Sequence, residues 1–258
     1  MTVEITRLSA CLGATVTGLD PSQPIDEETS RVLRGALVEH CVLILPGLDP
    51  TPSQHLAVAQ AFGKVLTSDP GPQAGSRPDL VAEYSEIAVV DSEIYKFDYW
   101  HSDNTVVVAP PVGTTLVMRQ CPPQGGDTMW LSTRRAYETL APSLQTLCDG
   151  LRARHGVAPR GAEHRVVVKH PGNGAKHLYL SRGWTKSIVG FPPHQSDALL
   201  ALLFEHLERP EHTVRWPWAE GDFGVWDNRT TNHYAINDYG TERRIMHRVT
   251  ITADADST

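Results

Sequence analysis

Two polar residues spaced two apart in the aromatic stretch Tyr99-Trp100-His101-Ser102-Asp103-Asn104 constrain this chain more than any other feature. In an extended segment side chains alternate between faces, so His101 and Asp103 would share one face. An imidazole and a carboxylate held together lack a third ligand, and His233, about 130 residues further on, is the candidate. Two histidines and one carboxylate form the facial triad that binds Fe(II) and leaves neighbouring coordination positions open for chemistry. That is the metal site of an oxygenase.

The pair alone is weak. With 12 His and 30 Asp plus Glu in 258 residues, a His-x-acid pair arises by chance about once or twice, so its surroundings must decide. The other such pair, His206-Leu207-Glu208, lies in a run from Ser196 whose apolar spacing is helical. On a helix, residues i and i+2 diverge by about 200° and cannot share an ion. For His101 and Asp103 by themselves, a solvated polar strand end is the alternative.

Composition narrows the partners. A chain with 40% hydrophobic and 21% charged residues can bury a full core, and we read residues 1–258 as a single domain. The net charge of −7, with no run of Lys and Arg longer than two, argues against nucleic acid. No apolar run of about 18 residues is present, which argues against a membrane. Cys11, Cys41, Cys121 and Cys148 show no Cys-x-x-Cys spacing and read as reduced thiols of a cytoplasmic protein. Homo-oligomerisation is left open.

Along the chain, Asp26–His40 spaces its apolar residues as a helix does, with Val32, Leu33, Ala36 and Leu37 as the buried stripe. Cys41–Leu45 is wholly apolar and of strand length, stopped by Pro46-Gly47. A second helix starts where Thr51 caps, Pro52 takes the first position and Gln54 completes a capping box. Residues 67–99 are turn-rich, with β-prone runs only at Ile87–Val90 and Glu93–Phe97, and read as a mobile flap beside the His101 segment. Strands are expected at 113–119, 151–155, 165–169, 177–180, 213–216 and 224–226, with a helical insertion around 132–150 and a helix at 196–208. Many short strands with Gly/Pro turns and flanking helices fit a mainly β sandwich or jelly roll.

Read as a strand, 244–252 places Arg244, Met246, Arg248 and Thr250 on one face. Alternating arginines either line a solvated sheet surface or neutralise anions in a pocket, where the guanidinium fork matches a carboxylate. His247, on the opposite face, reads as a packed or capping histidine rather than a ligand.

Several ordered motifs then combine: Val42–Gly47, Trp100-His101-Ser102-Asp103, Gly125-Gly126-Asp127-Thr128, Ile188-Val189-Gly190, Trp226-Asp227-Asn228-Arg229, His233-Tyr234-Ala235 and Arg243–Arg248. Together they resemble, nearly end to end, the taurine and 2,4-dichlorophenoxyacetate dioxygenase family of Fe(II)/2-oxoglutarate-dependent oxygenases. The resemblance implies a cupin-like double-stranded β-helix with iron held by His101, Asp103 and His233. It implies that Arg244 and Thr128 hold the distal carboxylate of 2-oxoglutarate, and that Arg248 lies near an anionic part of a small or medium organic substrate. The implied reaction consumes O2, converts 2-oxoglutarate to succinate and CO2, and usually hydroxylates the substrate.

The chain departs from that pattern in two places. Taurine dioxygenases carry a histidine shortly after the Phe-Gly pair, whereas Phe62-Gly63 is followed here by Lys64-Val65-Leu66-Thr67. Phe97 stands where those enzymes have a polar amide. Taurine is therefore disfavoured as substrate, and Phe97, Asn104 and Trp184 are the candidate substrate contacts. Asp103 argues against halogenation, since halogenases of this type lack the carboxylate. Desaturation and rearrangement stay open, and a zinc hydrolase or a non-catalytic cupin is the remote alternative.

Overall fold

The computed structural model describes residues 2–67, 79–157, 159 and 161–253. The chain opens with β1 (Glu4–Arg7), β2 (Ala14–Thr17), α1 (Glu27–His40), β3 (Val42–Leu45), α2 (Pro52–Gln60), β4 (Lys64–Val65), β5 (Leu80–Val81) and β6 (Tyr84–Asp91). The middle holds β7 (Gly113–Gln120), β8 (Thr128–Ser132), α3 (Thr133–Thr139), α4 (Pro142–Asp149), β9 (Arg152–His155), β10 (Ala162–Arg165), β11 (Val167–Lys169), β12 (Lys176–Leu178) and β13 (Thr185–Ile188). After α5 (Pro193–Leu207) come β14 (Thr213–Trp216), β15 (Phe223–Asp227), β16 (Thr231–Ala235) and β17 (Ile245–Thr252).

A nine-stranded sheet runs β1-β2-β3-β15-β7-β17-β6-β5, with β4 paired to β17, and a smaller one runs β14-β8-β16. Side-chain alternation in the large sheet explains how the two are layered. Val42 and Ile44 of β3 join Leu116, Met118, Trp226 and Met246 in a core shared with Trp130 of the small sheet. Leu43 and Leu45, with Val117, Phe223 and Val225, face the other way onto α1 and α2. The Val42–Leu45 run is continuously apolar because both of its faces are covered. A further core beneath α3, α4 and α5 packs on β9, β11 and β12.

Local chemistry sets the helix ends. Asp26 caps α1 by accepting from Thr29 N–H, and Thr51 with Gln54 forms the expected capping box at α2. The α1 stripe differs by one residue. Thr29, Ser30, Leu33, Ala36 and Leu37 are buried, and this i, i+3/i+4, i+7 face leaves Val32 at its margin, 37% exposed.

Residues 68–78 of the expected flap lie outside the described residues. Of the rest, 84–91 is a paired element: β6 runs alongside β17 from Val249↔Ile87 to Ile245↔Asp91. Glu93–Phe97 takes no strand pairing. The short helices α3 and α4 fall in the 132–150 segment expected to be helical.

Candidate active site

Extension of the 99–104 segment ends at His101, where a single antiparallel bridge joins it to β16. His101 N–H donates to the His233 carbonyl at 3.0 Å, and His233 N–H donates back at 2.7 Å. Asp103 begins a turn in which Asn104 takes φ 48°. The expectation that strand alternation aligns His101 with Asp103 is corrected here. The bridge sets the histidine, the turn sets the carboxylate, and both side chains reach the same point.

Their ligand atoms and one from His233 lie within 4.8 Å of one another, with His233 Nε2 3.8 Å from Asp103 Oδ1. His101 Nδ1 lies 2.8 Å from the Tyr99 carbonyl, which can only accept. Nδ1 therefore carries the proton, leaving the Nε2 lone pair free. Burial holds both imidazoles below their ordinary range, and His233, further opposed by His101, falls to about 3. Burial pushes Asp103 up, but His233, Arg248, His101 and the Thr114 hydroxyl outweigh it and hold the carboxyl below its ordinary range. Two neutral imidazoles and an ionised carboxylate converging in one buried place fit a divalent iron ion.

A line of hydrogen bonds stands behind Asp103. Trp226 Nε1–H donates to Asn228 Oδ1 at 2.9 Å, Asn228 Nδ2 donates to Thr114 Oγ1 at 2.9 Å, and Thr114 donates to Asp103 Oδ2 at 2.6 Å. The Ser102 hydroxyl fixes Asn228 from the other side, donating to its carbonyl at 2.7 Å. Asn228 falls within a sequence motif that assigns it no role, and Thr114 within an expected strand. A hydroxyl residue in a strand carries no signal of its partner.

The triad opens into a cleft that Thr128, Arg244, Arg248 and Phe97 also line. Arg244 donates from Nε to the Gly126 carbonyl at 2.9 Å and from Nη2 to Thr128 Oγ1 at 3.2 Å. Thr128 Oγ1 also accepts from Trp218 Nε1 at 2.9 Å, so its own proton is free to be donated elsewhere. Burial lowers the Arg244 guanidinium to about 10, which leaves it charged at neutral pH. The Gly125-Gly126 turn is held by Asp238, whose Oδ1 accepts from Gly126 N–H at 2.8 Å. A Cβ at Gly125 would sit 2.4 Å from that oxygen, so the turn requires glycine there.

Arg244 and Arg248 are only 6% and 5% exposed. That decides between a solvated sheet surface and a pocket in favour of the pocket. The alternation expected for 244–250 survives a register shift between Ile245 and Met246. His247 lies on the other face, its Nδ1 accepting from Arg119 Nε at 3.4 Å, and is packed as expected. Phe97 lines the cleft with its ring 5.5 Å from that of His101. Asn104 is buried but does not line the cleft, nor does Trp184. Trp184 stands one layer out, edge-on to Tyr99 at 6.5 Å, and the Tyr99 ring is 4.9 Å from His101.

Residues 4–250 match the family model described as taurine catabolism dioxygenase TauD, TfdA family. The chain is 34% identical to an alkylsulfatase of Acinetobacter baylyi, over 98% of this chain and 86% of that one. It is 32% identical to an alpha-ketoglutarate-dependent sulfate ester dioxygenase of Pseudomonas putida, over 98% and 90%. The crystal structure of a taurine dioxygenase from Burkholderia xenovorans matches with a TM-score of 0.88 at 34% identity, over 99% of this chain and 94% of that one. The two facing sheets are the double-stranded β-helix of such dioxygenases.

Proposed function

We propose that this chain, which belongs to the TauD, TfdA family and is an Fe(II)- and 2-oxoglutarate-dependent dioxygenase, oxidises a small or medium organic sulfate ester at the carbon bearing the sulfate. His101, Asp103 and His233 hold the iron, and Arg244 with the Thr128 hydroxyl holds the distal carboxylate of 2-oxoglutarate. With 2-oxoglutarate and O2, the bound iron supplies oxidation of an unactivated C–H bond, and 2-oxoglutarate leaves as succinate and CO2. The protein's own share is positioning and the exclusion of water.

One observation carries the choice of an anionic substrate: a second buried arginine, Arg248, lines the same cleft as Arg244 and the triad. A buried guanidinium that lines a cleft favours an anionic group there, and 2-oxoglutarate already claims Arg244. Arg248 holds the sulfate, whose oxygens suit its fork, and Phe97, Leu116 and Met246 give the carbon chain an apolar wall. Hydroxylation at the ester carbon is followed by loss of the hydroxyl proton as the C–O bond to sulfate breaks. Sulfate departs with the electron pair and an aldehyde remains. The names of the Acinetobacter and Pseudomonas relatives support this substrate class. The missing histidine after Phe62-Gly63, and the Phe97 ring in the cleft, count against taurine. A cytoplasmic location belongs to the same proposal. Four free cysteines support it, and no helix among the described residues is long and apolar enough to cross a membrane.

The test is a panel of alkyl sulfates, alkyl sulfonates including taurine, and phenoxy carboxylates, given to Fe(II)-loaded protein with 2-oxoglutarate and O2. Alkyl sulfates should yield inorganic sulfate and succinate in equal amounts. Arg248→Ala should raise KM for the sulfate ester while 2-oxoglutarate affinity stays within a few-fold of wild type. Turnover of sulfonates or carboxylates without turnover of sulfates overturns the assignment.

A further inference from the structure

We infer that Thr114 is a positioning residue that occupies one oxygen of Asp103 and leaves only the other to ligate metal. The inference rests on the triad reading above and deepens it. Thr114 is fully buried on β7, and Asn228 and Trp226, the residues behind it, are at most 2% exposed, so water does not compete along the line.

The direction of every proton in that line follows from its far end. An indole N–H can only donate, so the atom of Asn228 facing Trp226 Nε1 is the amide oxygen. The other end of the same amide is then the NH2 group, which can only donate to Thr114 Oγ1. A threonine hydroxyl has one proton, and with its lone pair engaged by Asn228 that proton goes to Asp103 Oδ2. Oδ2 is thus fixed as the acceptor of the Thr114 proton. Oδ1 is the oxygen that faces His233, at 3.8 Å. A carboxylate that could rotate freely could offer both oxygens and fill a coordination position that the co-substrates need. The Trp226–Asn228–Thr114 line prevents that rotation.

Partners of metal ligands are typically worth about 10- to 100-fold in metal affinity, which sets the scale of the test. Wild type and variants are titrated anaerobically with Co(II), whose visible absorption reports both occupancy and coordination. Thr114→Val keeps the shape and removes the hydroxyl. It should bind Co(II) about 10- to 100-fold more weakly, with a changed visible band. Thr114→Ser should restore wild-type affinity and spectrum. Thr115→Val, one residue along on the opposite face, should change neither. Asn228→Asp tests the line from its other end, because a carboxylate there accepts the Thr114 proton and draws it off Asp103. This variant should also weaken binding. Thermal unfolding of each apo-protein separates loss of the fold from loss of the site. Wild-type affinity and spectrum in folded Thr114→Val, or equal weakening in Thr114→Ser, overturns the inference. His233→Ala distinguishes the reading beneath it: if that variant binds Co(II) as wild type does, the triad assignment itself falls.

Discussion

On β7 two adjacent threonines look in opposite directions. Beneath α2, Thr115 Oγ1 meets His55 Nε2 at 2.8 Å, with the Phe223 ring edge-on to the imidazole at 5.4 Å. In the cleft, Thr114 Oγ1 meets Asp103 Oδ2 at 2.6 Å. Residue types and burial are nearly the same on both faces, and neither property distinguishes a site from a core. The direction of the last unshared atom does. The Thr115–His55 pair closes on itself: Thr115 Oγ1 also donates to the Val249 carbonyl at 3.4 Å. Behind the cleft, each polar line ends on an atom that looks into a common space: Asp103 Oδ1, the Thr128 proton and the guanidinium of Arg244.

The contrast would break most visibly at Arg244. If its guanidinium serves a ligand rather than the fold, Arg244→Ala should weaken 2-oxoglutarate binding by about 2–5 kcal/mol, or roughly 30- to 5000-fold, with metal affinity little changed. Anaerobic titration with 2-oxoglutarate measures this, and near-normal affinity would move the role to Arg248. On the other face the expected response is to acid. Burial holds His55 neutral down to about 3, against 6.5 ordinarily, so unfolding takes up a proton between those values. Its contribution to stability is complete above pH 6.5 and is lost as the pH falls, at about 1.4 kcal/mol per unit. Urea unfolding of the apo-protein between pH 7 and 5 should show a slope that His55→Leu reduces by one proton's worth. Equal slopes would mean that His55 is protonated in the fold. The smallest effect expected is that of Thr115→Val, which strands the His55 nitrogen and should cost about 1 kcal/mol in stability. A loss of metal affinity in that variant would erase the distinction between the faces.

How far these features could be read in advance depended on how local their causes are. The α2 capping box and the apolar Val42–Leu45 strand need only neighbours in sequence, and both were legible. So were the cleft residues His101, Asp103, Thr128, His233, Arg244 and Arg248, because spacing and ordered motifs preserve them. The turn at Asp103 was not, since Asn104 in a left-handed conformation looks no different in sequence from an asparagine in a strand. Nor was the pairing of β6 with β17, which depends on a partner more than 150 residues away. Thr114 was invisible for the same reason: its meaning lies in Asp103 and Asn228, and nothing about Gly113-Thr114-Thr115 points to either. Val32, 37% exposed, shows a smaller limit: in sequence, an apolar residue beside a helical stripe looks like a member of it.

The backbone pair between His101 and His233 also orders events in time. Closing a loop of about 130 residues costs about 4 kcal/mol of chain entropy, and a ribosome adding roughly 5–20 residues per second exposes His101 and Asp103 for some 7–25 s before His233 is made. During that interval the nascent chain offers an ion two ligands on an unfinished turn, too few to retain it. The three-residue cluster therefore exists only once that backbone pair has formed.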